Sequence, residues 1–168
     1  MKGRGKSWGM VLVGLTLVFL AGCAATMSGV EIASIEVQAP VEKVFDYVAD
    51  CNNLPHYIPE VKSVSNIQGQ GLGTTFDWTV ESKGHRSEGR MVVVDYVPNS
   101  KIVLNSTCGK IITEIFQPLP EGRTRLIVSV MYASEVPIEG KPVKKIVVKG
   151  TREMFEGMVQ NIKAEMEK

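Results

Sequence analysis

Residues 35–64 read IEVQAPVEKVFDYVADCNNLPHYIPEVKSV, and the order of elements in this stretch decides the fold. Val30 to Gln38 partly alternates and carries several β-branched side chains, which predicts a first strand. Pro40 suits the first turn of a helix, where its missing N–H and fixed φ cost nothing. Val41, Val44, Phe45 and Val48 recur at helical spacing as far as Ala49. Asp50-Cys51-Asn52-Asn53 breaks that helix, and Leu54 to Ile58 predicts a second short one closed by Pro59.

Downstream the pattern changes to strands, at about 61–68, 73–82, 86–97, 101–107, 110–118 and 123–135. Turn signals separate them at Gly69-Gln70-Gly71, Lys83-Gly84-His85, Pro98-Asn99-Ser100, Cys108-Gly109 and Pro120-Glu121-Gly122. Consecutive strands with such short connections pair antiparallel. A long helix from about Pro142 to Met166 follows, with Val147, Thr151, Met154, Phe155, Met158, Val159, Ile162 and Met166 as its apolar stripe. The predicted class is α+β. A curved antiparallel sheet of about seven strands, with two short helices after strand one, wraps around a long C-terminal helix and buries every apolar face in one core.

The length of 168 residues fits one domain of that design, and 44% hydrophobic with 22% charged residues excludes a disordered chain. A net charge of +1 argues against a nucleic-acid partner, which requires a clustered basic surface.

The N-terminal residues read as an address. Lys2, Arg4 and Lys6 precede an apolar run from Met10 to Ala21, about 12 residues and too short for a comfortable membrane span. It ends in Leu20-Ala21-Gly22-Cys23, which resembles a bacterial lipobox, where a cysteine thiol becomes a thioether to diacylglycerol. The expected organisation is a removed signal peptide at 1–22, lipidated Cys23 with a tether to residue 29, and a domain at 30–168. Loss of Lys2, Arg4 and Lys6 would turn the net charge negative. Two or three acyl chains, at about 0.8 kcal/mol per buried CH₂, anchor stably where one would be marginal. The expected location is the cell envelope. Ala24 after the cysteine, in place of Asp, resembles the pattern sorted to the outer membrane, facing the periplasm, in a host with two membranes.

The stretch 35–64 also resembles the opening of the START-like, polyketide-cyclase/dehydrase and lipid-transport superfamily (SRPBCC). There, an Ala-Pro or similar pair leads into a Val-Phe helix, then Asp, Leu-Pro and an aromatic-rich short helix. Gly89-Arg90 before a Val run and the segment Gly122 to Tyr132 (GRTRLIVSVMY) are similar to its recurrent strand features. The opening is also similar to coenzyme Q-binding START-like proteins, a branch the later strands match less well. The resemblance spans residues 30–168 and implies the helix-grip fold, with a hydrophobic ligand held between sheet and C-terminal helix. In a minority of members it implies aromatic cyclisation or dehydration.

Several residues are candidates for such a pocket. Gly150, Gly157 and Ala164 lie seven apart on the last helix. Glycine costs about 1 kcal/mol there relative to alanine, so the two glycines point either to ligand room or to close packing against the sheet or short helices. Met154 and Met158 offer adaptable walls or ordinary core. Phe76 and Trp78 share a strand face as pocket walls or core. His56 stands near Tyr57, at a portal or in solvent, and His85 in a turn. Glu81, Glu88, Arg86 and Arg90 form cross-strand ion pairs on a hairpin or, if one points inward, a carboxylate–arginine pair for a polar ligand head. Cys51 and Cys108 either pair, as the compartment permits, or stay buried thiols. Lys141, Lys144, Lys145, Lys149 and Arg152 gather near the last helix's N-terminus, facing solvent or attracting anionic lipid heads or an acidic ligand.

No metal-ligand spacing, nucleophile elbow, phosphate-cradling loop or dinucleotide fingerprint is present. The sequence therefore predicts no catalytic constellation, no cofactor and no metal, and specifies no oligomeric state. The leading expectation is a membrane-anchored carrier or sensor of a lipid, quinone or polyketide. The alternatives are a cyclase or dehydratase-like enzyme, which needs ionisable groups inside the cavity, and an envelope interaction module with an exposed apolar patch.

Overall fold

A computed structural model describes the backbone of residues 30–132 and 144–168, and the side chains of 33–131 and 152–168. Strand β1 (Val30–Val37) leads through Pro40 into helix α1 (Val41–Ala49). A 3-10 turn (Cys51–Asn53) and the short helix α2 (Leu54–Tyr57) follow. Asp50 accepts a hydrogen bond from the Asn52 backbone N–H, so the residue that stops α1 also starts the next turn. Strands β2 (Val61–Gln68), β3 (Thr75–Ser82), β4 (His85–Val97), β5 (Lys101–Ser106), β6 (Lys110–Leu119) and β7 (Arg123–Tyr132) precede helix α3 (Lys144–Met166).

The seven strands make one curved antiparallel sheet in the order β1-β7-β6-β5-β4-β3-β2. Neighbours in sequence are neighbours in space from β2 to β7, because the connecting turns are tight. The β3–β4 hairpin turns on Lys83 and Gly84, both at positive φ, in the sense that suits the strands' right-handed twist. His85, expected in that turn, is the first residue of β4, since two residues suffice to reverse the chain. Only β1 departs from sequence order, lying against β7 with Val30 opposite Val130.

The core fills the inner face of the sheet. From β7 come Leu126, Val128 and Val130, and from β6 Ile112 and Phe116. Phe45 of α1 meets Phe116 and Tyr96 edge to face, with ring centroids 5.0 and 5.3 Å apart. Helix α3 adds Phe155, Met158, Val159, Ile162 and Met166. Its end is pinned by polar bonds: Lys163 Nζ donates to the Glu36 carbonyl at 2.8 Å, Lys43 Nζ to the Met166 carbonyl at 3.1 Å, and Asn161 Nδ2 to the Tyr57 carbonyl at 3.2 Å. Sheet, short helices and C-terminal helix thus share one core in the helix-grip arrangement.

Candidate functional site

A space remains between the short helices and the sheet. Val48 and Ala49 of α1, Cys51, and Leu54 and Tyr57 of α2 form one wall of a cavity of about 40 Å³. Phe76 of β3, Val93 and Tyr96 of β4, Ile102 and Leu104 of β5, and Glu114 of β6 form the other, with Gly71 and Thr74 at the side. Gly71 sits there at positive φ, its Cα side facing the Tyr96 ring, which a Cβ would meet at 3.4 Å. The space admits a few water molecules, or the end group of a larger molecule.

Glu114 is the chemical feature of this cavity. Inward positions on β6 alternate, so Ile112, Glu114 and Phe116 all face the core, and Glu114 is only 5% exposed. It has no hydrogen-bond or ion-pair partner among the described residues. Burial alone pushes its carboxyl up to about 8, so the side chain is mostly a neutral acid at pH 7 and can donate as well as accept a hydrogen bond. Thr74 is as deeply buried, and its hydroxyl also lacks a partner. The three remaining ionisable groups on the wall, Tyr57, Tyr96 and Cys51, are all raised by burial first and are neutral at pH 7. Tyr57 donates its hydroxyl to the Val48 carbonyl at 3.3 Å, and burial raises its pKa well above the usual value. The Cys51 thiol is pushed up to about 11, by burial first and by Asp50 second, which leaves little nucleophilic thiolate. The arrangement can hold an apolar body and exchange hydrogen bonds with a polar atom on it.

The residues expected from sequence divide. Phe76 lines the cavity, and Trp78 is buried beside it in a cluster with Cys51, its indole N–H unpartnered. Gly89 lies directly opposite Trp78, and a Cβ there would stand 2.9 Å from the indole ring, so the glycine makes room for the tryptophan. Met158 is buried in the main core and Met154 packs half-buried against it; neither borders this cavity. Gly157 corrects the expectation of a small-residue strip. It is exposed, with nothing within 4 Å of a would-be Cβ, so it gives neither ligand room nor close packing. At 100° per residue it stands on the side of α3 opposite Phe155, Val159 and Ile162, as does exposed Ala164. Gly150 and the lysines of the basic cluster lie outside the residues whose side chains are described, as does Cys23.

The hairpin charges face solvent. Arg86 bonds Glu88 along the same strand at 2.7 Å. Arg90 bonds Asp77 across the β3–β4 ladder, and with Asn66 holds that carboxyl down at about 2. The inward carboxylate–arginine pair considered from sequence is therefore absent among these four residues, because their register turns them outward. The inward carboxyl is Glu114, whose signal in the sequence is the alternation Ile112, Glu114, Phe116. His56 and His85 are exposed. Cys51 and Cys108 are free thiols, Cys108 exposed with its Sγ 3.0 Å from the Ser106 hydroxyl, so neither the pairing nor two buried thiols describes them. Among the described residues no helix is long and apolar enough to cross a membrane, and no cluster of metal-ligating side chains occurs.

Solved structures share this architecture. The protein TTHA0849 of Thermus thermophilus aligns with a TM-score of 0.69 at 23% identity, over 80% of this chain and 94% of its own. A START superfamily protein from Mycobacterium smegmatis aligns at 0.64 and 20% identity, over 80% and 94%. The Streptomyces aromatase/cyclase Zhui aligns at 0.60 and 19%, over 80% and 91%. At these identities the likeness is one of fold. No protein of curated function matches in sequence. The family described as polyketide cyclase / dehydrase and lipid transport, however, matches residues 32–167. With a seven-stranded sheet gripping a C-terminal helix and a cavity beneath its short helices, the chain belongs to the polyketide cyclase/dehydrase and lipid transport family.

Proposed function

We propose that this protein is a membrane-anchored binding protein, a carrier or sensor, for a hydrophobic small molecule such as a lipid, quinone or polyketide. The observation that carries the reading is the cavity between short helices and sheet, with aromatic and aliphatic walls. At about 40 Å³ it is well below the roughly 300–1,000 Å³ of a drug-sized site, so it would seat one end of such a molecule. The sequence from Lys2 to Cys23 supports the anchor, which would keep the pocket beside a lipid source. Native mass spectrometry of the full chain released from detergent, after incubation with bacterial lipids and quinones, is expected to show a retained small molecule. A spectrum of the bare chain under every condition would contradict the reading. Labelled palmitate is expected to enter the wild type in a bacterial host and to be lost in Cys23→Ala; an unlabelled wild type would remove the anchor.

Glu114 favours a second reading, a cyclase or dehydratase-like enzyme. A carboxyl titrating near 8 holds a proton at neutral pH that it can pass to a leaving hydroxyl, the task of a general acid. Turnover of a β-hydroxy ketone that disappears in Glu114→Gln would decide for it. The interaction-module reading has less support: the exposed large apolar side chains are Ile67, Leu72, Val94 and Val97 among the described residues.

A further inference from the structure

Buried polar groups without partners are rare, since each forfeits its hydration with nothing in return. Two others in this core are satisfied. Thr124, fully buried, donates its hydroxyl to the Ala39 carbonyl at 2.7 Å, and buried Tyr57 reaches Val48. Around the cavity the rule fails, at the Trp78 indole N–H in the cluster beside it and at two groups that line it. Glu114 and Thr74 are each 5% exposed and line the same space; the Thr74 hydroxyl is buried without a partner, and no hydrogen bond or ion pair joins the Glu114 carboxyl to another described residue. They come from distant parts of the chain, β6 and the entry to β3, and the fold brings them to one cavity.

We propose that Glu114 and Thr74 form the oxygen-recognising end of the pocket, so that the ligand is a hydrophobic molecule carrying a carbonyl or hydroxyl oxygen. This rests on the binding reading above and goes beyond it by stating what distinguishes the ligand from a plain hydrocarbon. The surrounding walls, Val48, Leu54, Phe76, Val93, Ile102 and Leu104, are apolar and select only for size. Of the other polar residues on the wall, Tyr57 already donates to the Val48 carbonyl, Cys51 is a weak donor turned to the Ala49 carbonyl and Tyr96 is only half-buried, so discrimination between oxygenated and plain hydrocarbon falls first to Glu114 and Thr74. A neutral carboxyl supplies one donor and a free acceptor, and the hydroxyl supplies the same. A carbonyl would accept from either, and a ligand hydroxyl would accept from one and donate to the other. A site that pairs its buried polar groups only with an oxygenated ligand rejects the analogue lacking the oxygen, because the site's own groups then stay unpaired.

The test compares phenol with toluene, molecules of closely similar size and shape that differ in one hydroxyl. Their affinities for the full chain are measured by NMR titration in detergent at pH 6, for wild type, Glu114→Leu and Glu114→Gln. Partition into the detergent is common to all three and cancels when ratios are compared. The phenol-to-toluene affinity ratio is expected to fall about tenfold in Glu114→Leu, the worth of one hydrogen bond, and to be largely kept in Glu114→Gln. A ratio unchanged in Glu114→Leu would overturn this inference while leaving hydrophobic binding intact. Failure of both probes to bind the wild type would overturn this inference, while the binding reading is decided separately by the small molecule retained in native mass spectrometry. Should Glu114→Leu not fold, the wild type alone decides. Saturation with phenol is expected to shift the Glu114 carboxyl carbon resonance and saturation with toluene to leave it near its free position, and equal shifts would refute the proposal.

Discussion

Phe116 and Glu114 stand two residues apart on the same face of β6, both nearly inaccessible to water, and their surroundings differ in kind. Phe116 meets Phe45 edge to face and belongs to a core that continues through Leu126, Val128 and Ile162. Glu114 borders open space, with the unpartnered Thr74 hydroxyl on the same wall and the unpartnered Trp78 indole N–H nearby in the β3 cluster. Thr124 and Thr74 repeat the contrast in one residue type: the first is paired beside α1, the second is orphaned beside the cavity. One side of the sheet's inner face is built for stability, with polar groups satisfied and rings interlocked. The other leaves hydrogen-bonding capacity unspent.

Four substitutions probe that contrast. Phe116→Ala attacks the packed side, and loss of a fully buried ring is expected to cost about 3–5 kcal/mol in urea unfolding. A loss below about 1 kcal/mol would mean this side is no better packed than the other.

Glu114→Gln probes the open side through pH. The folded carboxyl titrates near 8, above its unfolded value near 4.5, so the folded state binds the extra proton in between. Its contribution to stability is complete below about 4.5 and is lost as pH rises through about 8. The wild type should therefore lose on the order of a few kcal/mol relative to Glu114→Gln between pH 5 and pH 9. Parallel stability profiles for the two proteins would show that Glu114 is not held neutral by burial.

Gly89→Ala tests whether the β3–β4 edge beside the cavity is already full. The new methyl carbon would press on the Trp78 ring from 2.9 Å, with an expected cost of about 1–3 kcal/mol. A neutral effect would reveal slack beside Trp78 as well as beside Glu114. Gly157→Ala gives the smallest change and the opposite sign. On an exposed helix face with open space around it, alanine is expected to stabilise by about 1 kcal/mol. Destabilisation would show that the outer face of α3 is covered by something in the intact protein.

The fold was legible because its elements are local. Strand alternation, the turns at Lys83-Gly84 and Pro98-Asn99-Ser100, Pro40 at the start of α1 and the stripe Phe155, Val159, Ile162 each announce themselves within a few residues. Antiparallel pairing of successive strands then follows from short connections. The site was legible only in part. Phe76 lines the cavity as one sequence reading allowed, but the walls come from α1, α2 and four strands, and their meeting depends on pairings far apart in the chain. Two features were present in the sequence and obscured by stronger local patterns. Alternation between Ile112 and Phe116 already turns Glu114 inward, although hairpin charges such as Glu81 and Arg86 make a more conspicuous group. The helical angle between Gly157 and Phe155 already sends that glycine outward, although a seven-residue spacing looks like a designed strip.

The polar end of the cavity exists only if Glu114 is a buried neutral acid with spare hydrogen-bonding capacity. A pH titration of its carboxyl carbon resonance by NMR, in the wild-type chain without ligand, tests that directly. A midpoint near 8 with a single step is the predicted result. A midpoint near the usual 4.5 would show a solvated or ion-paired carboxylate, and would contradict both the open polar end of the cavity and the ligand chemistry argued from it.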